Sequence, residues 1–334
     1  MTIPVRPRFA AFAVLLLPVL AQANDGIAGV SAGGIVLRKT DAIAMKKEVL
    51  NVSHDLITVD YEFLNESAAD VEETIVFPLP AYTAALQPSD TYYGQPDGFS
   101  IRVDGKAVPF TSILVALDEA GNDITATLRK VGLTTAQIAN TPAFGDTPKV
   151  PPLTTQQKRQ LHKLALMTND GPSGPDEPTW RVQVNYVWKQ KFPTNQVVRV
   201  HHAYQPFVDG GPGAWSVDPD FGRRYCADAS FLKARGRIAA RGGMGDAVPA
   251  VFVSYILKTA NTWKRGIEDF TLNLVKRKPE ELISLCFPGT FRKVDSNTLQ
   301  VRLKNFQPTQ DLDIYFGNVD GSGGHGGVMP VLPK

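Results

Sequence analysis

Between Ile57 and Pro80 the chain reads ITVDYEFLNESAADVEETIVFPLP. Ile57, Val59, Tyr61 and Phe63 share one parity, and Thr58, Asp60 and Glu62 share the other. Alternation with period two marks a strand that has one face on a core and one in water. Asn65 to Asp70 is polar, and Val71, Ile75 and Phe77 begin a return run. The pattern predicts a β-hairpin with a loop longer than two residues. Pro78 and Pro80 lack amide donors, so the second run cannot continue as a central strand beyond them.

The same style recurs. Ile35 to Leu37, Ile43 with Met45, and Val49 with Val52 predict short strands before the hairpin. Phe99, Ile101 and Val103 alternate up to Asp104-Gly105, a two-residue hairpin signal. A second β-rich stretch opens at Trp180 with Val182, Val184, Tyr186 and Trp188, and continues through Val198 to Tyr204. Further alternating runs lie at Val251–Leu257, Phe270–Leu274, Leu299–Leu303 and Leu312–Phe316. Phe192-Pro193 ends one strand as Phe77-Pro78 ends another, a weak hint of internal duplication. Between the two stretches the pattern turns helical. Helices are expected near 123–131, at 134–138 with Thr135 as N-cap, and at 155–167 with Thr154 as N-cap. The prediction is a mostly β protein of two β-sandwich-like units separated by a short helical insertion. The units are 24–120 and 179–318, the insertion with its linker is 121–178, and 319–334 is a Gly-rich tail.

The N-terminus alters that picture. Arg6 and Arg8 precede an apolar run, Ala10 to Leu20, and then Ala21-Gln22-Ala23. That order predicts a secretory signal peptide over 1–23, cleaved between Ala23 and Asn24. The run is shorter than the roughly 18 apolar residues a membrane span requires, and no later run predicts one. Cleavage removes two arginines and no acid, which takes the formal charge of +2 to zero. A neutral chain gives no electrostatic argument for nucleic acid. In an exported chain the two cysteines, Cys226 and Cys286, predict a disulfide.

Candidate chemistry is sparse. Gly29-Val30-Ser31-Ala32-Gly33 fits the spacing of a nucleophile elbow, but it lacks the strand before and helix after that hold the hydroxyl out. His201 and His202 are adjacent, so a strand would point them to opposite faces. His202 is expected in the core with a hydrogen bond, and His201 in water. Asp218, Asp220 and Asp228 lack calcium-loop spacing and are read as turn residues. His54 and His162 are isolated, and His325 falls in the tail. No catalytic, metal or cofactor site is expected. Tyr82, Tyr92 and Tyr93, in the Pro-containing loop 81–98, are the candidate binding residues.

Several of these segments together resemble a bacterial exported family called domain of unknown function 4424. They are the early GGIVL, VDYEFLNES with FPLP, NYVWKQKFP with HHAYQP, Tyr225-Cys226 and LKNFQPTQDLDIYF. The resemblance spans nearly the whole predicted mature chain and implies no established activity. Residues 43–110, through FPLP and FSIRVDGKAV, also look like the first half of a VIT domain, a β-sandwich module. Proteins with that module usually continue into a metal-binding adhesion domain. Here Asp320, Ser322 and Gly324 depart from its Asp-x-Ser-x-Ser motif, so metal-dependent adhesion does not carry over.

These readings converge on a periplasmic or secreted protein that binds or scaffolds and has an envelope protein or a glycan as partner. The alternative is an envelope hydrolase, or a lipid or glycan carrier, with a site between the two β units. Oligomeric state is left open.

Overall fold

A computed structural model of the 334-residue chain describes residues 25–31, 34–84, 99–139, 150–169, 176–206, 209–210, 220–242 and 248–319. The chain begins with β1 (Gly26–Ser31), β2 (Gly34–Arg38), β3 (Ile43–Val52), β4 (Ile57–Asn65), β5 (Val71–Pro78) and β6 (Tyr82–Thr83). It continues with β7 (Ser100–Val103), β8 (Lys106–Ala107) and β9 (Thr111–Leu117). The insertion holds α1 (Thr125–Lys130), α2 (Thr135–Ala139), α3 (Thr155–Lys163), β10 (Met167–Asn169) and β11 (Asp176–Pro178). Then come β12 (Arg181–Phe192), β13 (Val197–Tyr204), β14 (Asp209–Gly210), α4 (Phe221–Arg224) and α5 (Ala229–Gly242). The last elements are β15 (Ala250–Tyr255), β16 (Ile267–Val275), β17 (Leu282–Ser284), β18 (Arg292–Lys293), β19 (Thr298–Phe306) and β20 (Leu312–Gly317).

The protein is mostly β, as its alternation predicts. Among the described residues the strands form three main sheets. A six-stranded sheet runs β2-β1-β5-β12-β6, with β9 also on β12. An eight-stranded sheet runs β18-β19-β16-β3-β4-β13-β7-β8, and a four-stranded sheet runs β14-β15-β20-β17. The strands do not sort by chain position. β12 lies beside β5, β13 between β4 and β7, and β16 parallel to β3. Both large sheets therefore mix strands from either side of the helical insertion. Local patterning records which face of a strand is apolar, but not which distant strand it pairs with.

The alternation of Ile57 to Phe63 is realised: Ile57, Val59, Tyr61 and Phe63 are buried. The expected hairpin is not. β4 pairs with β3 and β13 in the eight-stranded sheet, while β5 pairs with β1 and β12 in the six-stranded one. Asn65 to Asp70 is an arch from one sheet to the other. A second arch, from β12 to β13, crosses back beside it. The two are stitched together by Asn65 Nδ2 to the Phe192 carbonyl (2.8 Å), the Asn195 amide to the Asn65 carbonyl (2.9 Å) and Thr194 Oγ1 to the Ser67 carbonyl (2.6 Å). The two Phe-Pro dipeptides fall at opposite ends of one antiparallel pair, with Phe77 beside Tyr186 and Phe192 beside Val71. The Asp104-Gly105 hairpin forms as predicted. It joins β7 to β8, both residues have positive φ (47° and 79°), and Gly105 adopts that region without Cβ strain.

The main core lies where the inner face of the eight-stranded sheet meets the other two. Phe63 packs on Phe192 and Trp263, and Phe77 on Phe99, Tyr204 and Tyr255. Rings fill this space between the sheets. A second core holds α1–α3 against β9 and the start of β12 through Leu128, Ile138, Leu161, Trp180 and Val182. Thr154 and Gln157 make the expected cap of α3 with a reciprocal capping box. For α2 the cap is Thr134 rather than Thr135, since Thr134 Oγ1 accepts from the Gln137 amide at 3.2 Å. A third cluster seats α4 and α5 on the four-stranded sheet through Phe221, Tyr225, Phe252 and Tyr315. Cys226, beside that cluster, is disulfide-bonded to Cys286, with Cα atoms 5.0 Å apart.

Candidate functional site

Every second residue of the central strands of the eight-stranded sheet faces away from the core. Register then decides which of these meet. Lys47, Glu62 and Arg199 align across β3, β4 and β13, and Asp60, His201 and Arg102 align across β4, β13 and β7. The two rows share a face because they are two residues apart on each common strand. They line a shallow concavity of about 300 Å³ together with Gly105. His201 Nδ1 bonds Asp60 Oδ1 at 2.7 Å, which fixes the ring and leaves Nε2 for the concavity. Arg199 Nε lies 3.6 Å from Glu62, and Arg102 Nη1 donates to the Gly105 carbonyl at 3.3 Å. Lys47, Arg102 and Arg199, with Glu62 among them, thus surround an oriented His–Asp pair on a partly open surface.

The next row of the same face is a ladder of amides. Arg292 donates to Gln300 (2.6 Å), Gln300 to Asn273 (2.8 Å), Asn273 to Asn51 (2.7 Å) and Asn51 to Thr58 (3.0 Å). This chain of side-chain hydrogen bonds spans β18, β19, β16, β3 and β4. It gives the face a fixed array of donors and acceptors beside the charged concavity.

Of the sequence-predicted binding residues the structure describes Tyr82. Tyr82 is not on an exposed loop rim: it is buried in the core of the helical layer and donates to the Ala139 carbonyl at 3.1 Å. Burial raises its phenol pKa. Its apolar ring is worth more there than in water, and α2 supplies the acceptor that burial demands. Tyr92, Tyr93, Ala23 and Asn24 lie outside the described residues, as do Asp218, His325 and the tail from residue 320. Ser31 is at the end of β1, opposite Gly34 of β2 in an antiparallel pair, which is not the strand-to-helix turn of a nucleophile elbow. Asp228 accepts from Ser230 Oγ and the Phe231 amide, both at 2.7 Å, at the start of α5. His162 pairs with Asp176 at 2.8 Å, and buried His54 pairs with Glu281 at 3.2 Å. Among the described residues no group of three or more His, Cys, Asp and Glu side chains is arranged to hold a metal.

His201 and His202 split across the sheet as strand geometry requires. His202 is fully buried, and its Nε2 lies 3.0 Å from both carboxylate oxygens of Asp25, itself 1% exposed. His202 Nδ1 has no hydrogen-bond partner among the described residues, so Nε2 holds the donor hydrogen. The Asp60–His201 pair escaped sequence reading because its members are 141 positions apart and only the β4–β13 register joins them.

The architecture is that of a layered, mostly β protein whose charged site lies on an outer sheet face, not between its sheets. The chain belongs to the family described as Domain of unknown function (DUF4424), which it matches over residues 23–315. No curated protein matches it. Among solved structures it is similar to a protein from Legionella pneumophila described as a "putative nutrient binding protein". That likeness has 15% identity and a TM-score of 0.44, covering 88% of this chain and 70% of the other. It is also similar to an M1 zinc metallopeptidase from Deinococcus radiodurans, at 7% identity and a TM-score of 0.28, covering 84% of this chain and 43% of that one. Yeast LTA4 hydrolase matches at 9% identity and a TM-score of 0.24, with 29% of its length covered.

Proposed function

We propose that the protein is an exported, non-catalytic binding or scaffolding component of the cell envelope. Its outer sheet face takes a carboxylate- or phosphate-bearing group of an envelope glycan or protein. The arrangement of Lys47, Arg102 and Arg199 around the Asp60–His201 pair carries this reading. Cations fixed by strand register attract an anion without reorganising, and the amide ladder beside them offers hydrogen bonds to hydroxyl or amide groups. Export is supported by the order of basic, apolar and small residues before Asn24, and by a disulfide, which persists in oxidising compartments. The VIT-like pattern of residues 43–110 suits the same role, in which a rigid sandwich presents a face to partners.

Mature protein, immobilised and exposed to an envelope extract and to acidic oligosaccharides, tests this. Arg102→Ala with Arg199→Ala should weaken capture at least about tenfold, since a charge-assisted contact is worth roughly 1.5 kcal/mol. Capture should also fall with salt. Both residues are exposed, so the melting temperature should hardly change. Equal capture by wild type and double variant at low salt would overturn the assignment.

A further inference from the structure

α5 reads ASFLKARGRIAARG, with four basic residues and no acidic one, in a chain whose predicted mature form is formally neutral. Helical geometry sorts the charges. Arg235 is 6% exposed and lies on the inward side, four residues from Phe231 and from buried Ala239. Phe231 anchors that side on Phe221 and Tyr315. Lys233, Arg237 and Arg241 also repeat every fourth residue, but two positions on, which is about 200° around the helix. All three are exposed and span about 12 Å along the axis. None forms an ion pair with a described residue. Arg223 and Arg224 of α4, by contrast, have Asp220 and Asp313 beside them. A second exposed row, Leu232, Gly236 and Ala240, runs next to the cations and carries no charge. Leu232 is 41% exposed. A Cβ at Gly236 would meet nothing within 4 Å, so packing does not account for a glycine in mid-helix, where it weakens the helix relative to alanine. The outward face is a line of cations beside a low, uncharged strip that begins with a leucine.

We infer that this face of α5 docks on an anionic phospholipid surface and attaches the protein peripherally to a membrane. The cationic row meets lipid phosphates, whose attraction for Lys and Arg falls off within a Debye length. Leu232 enters the layer below the headgroups, and the small residues at 236 and 240 let the helix lie close to it. A soluble polyanion would engage the same cations but has no apolar layer to receive Leu232, which favours the bilayer. The surface is separate from the outer-face concavity. α5 packs on the four-stranded sheet, whereas the Asp60–His201 pair lies on the eight-stranded one, so neither site requires the other.

Co-sedimentation of the mature protein with lipid vesicles decides it. Vesicles of phosphatidylglycerol and phosphatidylcholine in equal parts should bind the protein, and vesicles of phosphatidylcholine alone should not. Each basic side chain near an anionic surface strengthens binding about fivefold, so Lys233→Gln with Arg237→Gln and Arg241→Gln should weaken it about a hundredfold. These positions are exposed, so the melting temperature should hold. Gly236→Glu with Ala240→Glu keeps every cation and should weaken binding at least about tenfold, which covers the case of a triple variant that folds poorly. Leu232→Ser should lose about threefold on vesicles and nothing on dextran sulfate. Arg102→Ala with Arg199→Ala, which disables the outer face, should leave vesicle binding within about twofold. Equal binding to both kinds of vesicle, or retention of binding by both α5 variants, overturns the proposal. Leu232→Ser that binds vesicles like the wild type overturns the bilayer in favour of a soluble polyanion. Vesicle binding lost with Arg102 and Arg199 overturns α5 as the docking face and moves the lipid contact to the concavity.

Discussion

Glu66, just past the end of β4, shows how much one side chain can hold. Both its oxygens accept from Arg265, at 2.6 and 2.8 Å, and Lys264 adds a contact at 3.0 Å. Lys46 and Glu268 extend the cluster from β3 and β16. The Arg265 hydrogen bonds lead in lowering the Glu66 pKa from 4.5 to about 2, against a smaller opposing effect of burial. A depressed carboxylate pKa stabilises the fold fully above the unfolded value and loses that contribution as pH falls through the folded one. The network should therefore contribute undiminished stability above about pH 5 and lose it progressively toward pH 2. Glu66→Gln should cost about 1–2 kcal/mol at pH 7, discounted for solvent screening, and almost nothing near pH 2. Urea titrations of both proteins across that range would test it. A destabilisation independent of pH would assign Glu66 a packing role instead. The sequence shows Glu66 only as a turn residue, because its partners lie about two hundred positions away.

At the scale of elements, the arches separate what was legible from what was not. Alternation from Ile57 to Phe63 identifies the buried face of β4 because that face touches core along its whole length. The turn after it gives no sign of whether the chain doubles back within a sheet or crosses to another. That choice belongs to Asn65, whose fully buried side chain donates to the carbonyls of Ala69 and Phe192 and accepts from Ser67. Asn65→Ala would leave the Phe192 carbonyl without this donor, and should cost about 2–3 kcal/mol in urea unfolding. Ser67→Ala, at the exposed edge of the same turn, should cost well under half of that. Equal costs would mean that the arch is not pinned at Asn65. α5 was missed for another reason. Its buried positions include Arg235 and Ala239 and form no apolar stripe, so periodicity had little to detect. The outer-face concavity was invisible for a third: its five charged side chains and His201 come from four strands, each reading locally as an ordinary solvated face.

Across the whole molecule the disulfide ties one layer to the rest. Cys226 lies between α4 and α5, and Cys286 follows β17 of the four-stranded sheet, 60 residues on. The helical layer it anchors has a small apolar footing of Phe221, Tyr225, Phe231, Phe252 and Tyr315. All three main sheets, the four-stranded one included, share a far larger core that contains neither cysteine. In the chain-entropy account a loop of this size stabilises by about 4 kcal/mol, an upper figure because residual structure in the unfolded chain reduces it. The effect should be uneven. Reduction, or Cys226→Ser with Cys286→Ser, should first loosen α4 and α5, raising amide exchange there while β3, β4, β12 and β13 stay protected. Global melting should follow at a lower temperature. Calorimetry with and without reductant, paired with hydrogen exchange resolved by segment, separates the two steps. An unchanged melting temperature would remove the stabilising role. Equal loss of protection in α5 and β12 would show that the helical layer and the central sheets unfold as one unit and that the bond braces the whole molecule.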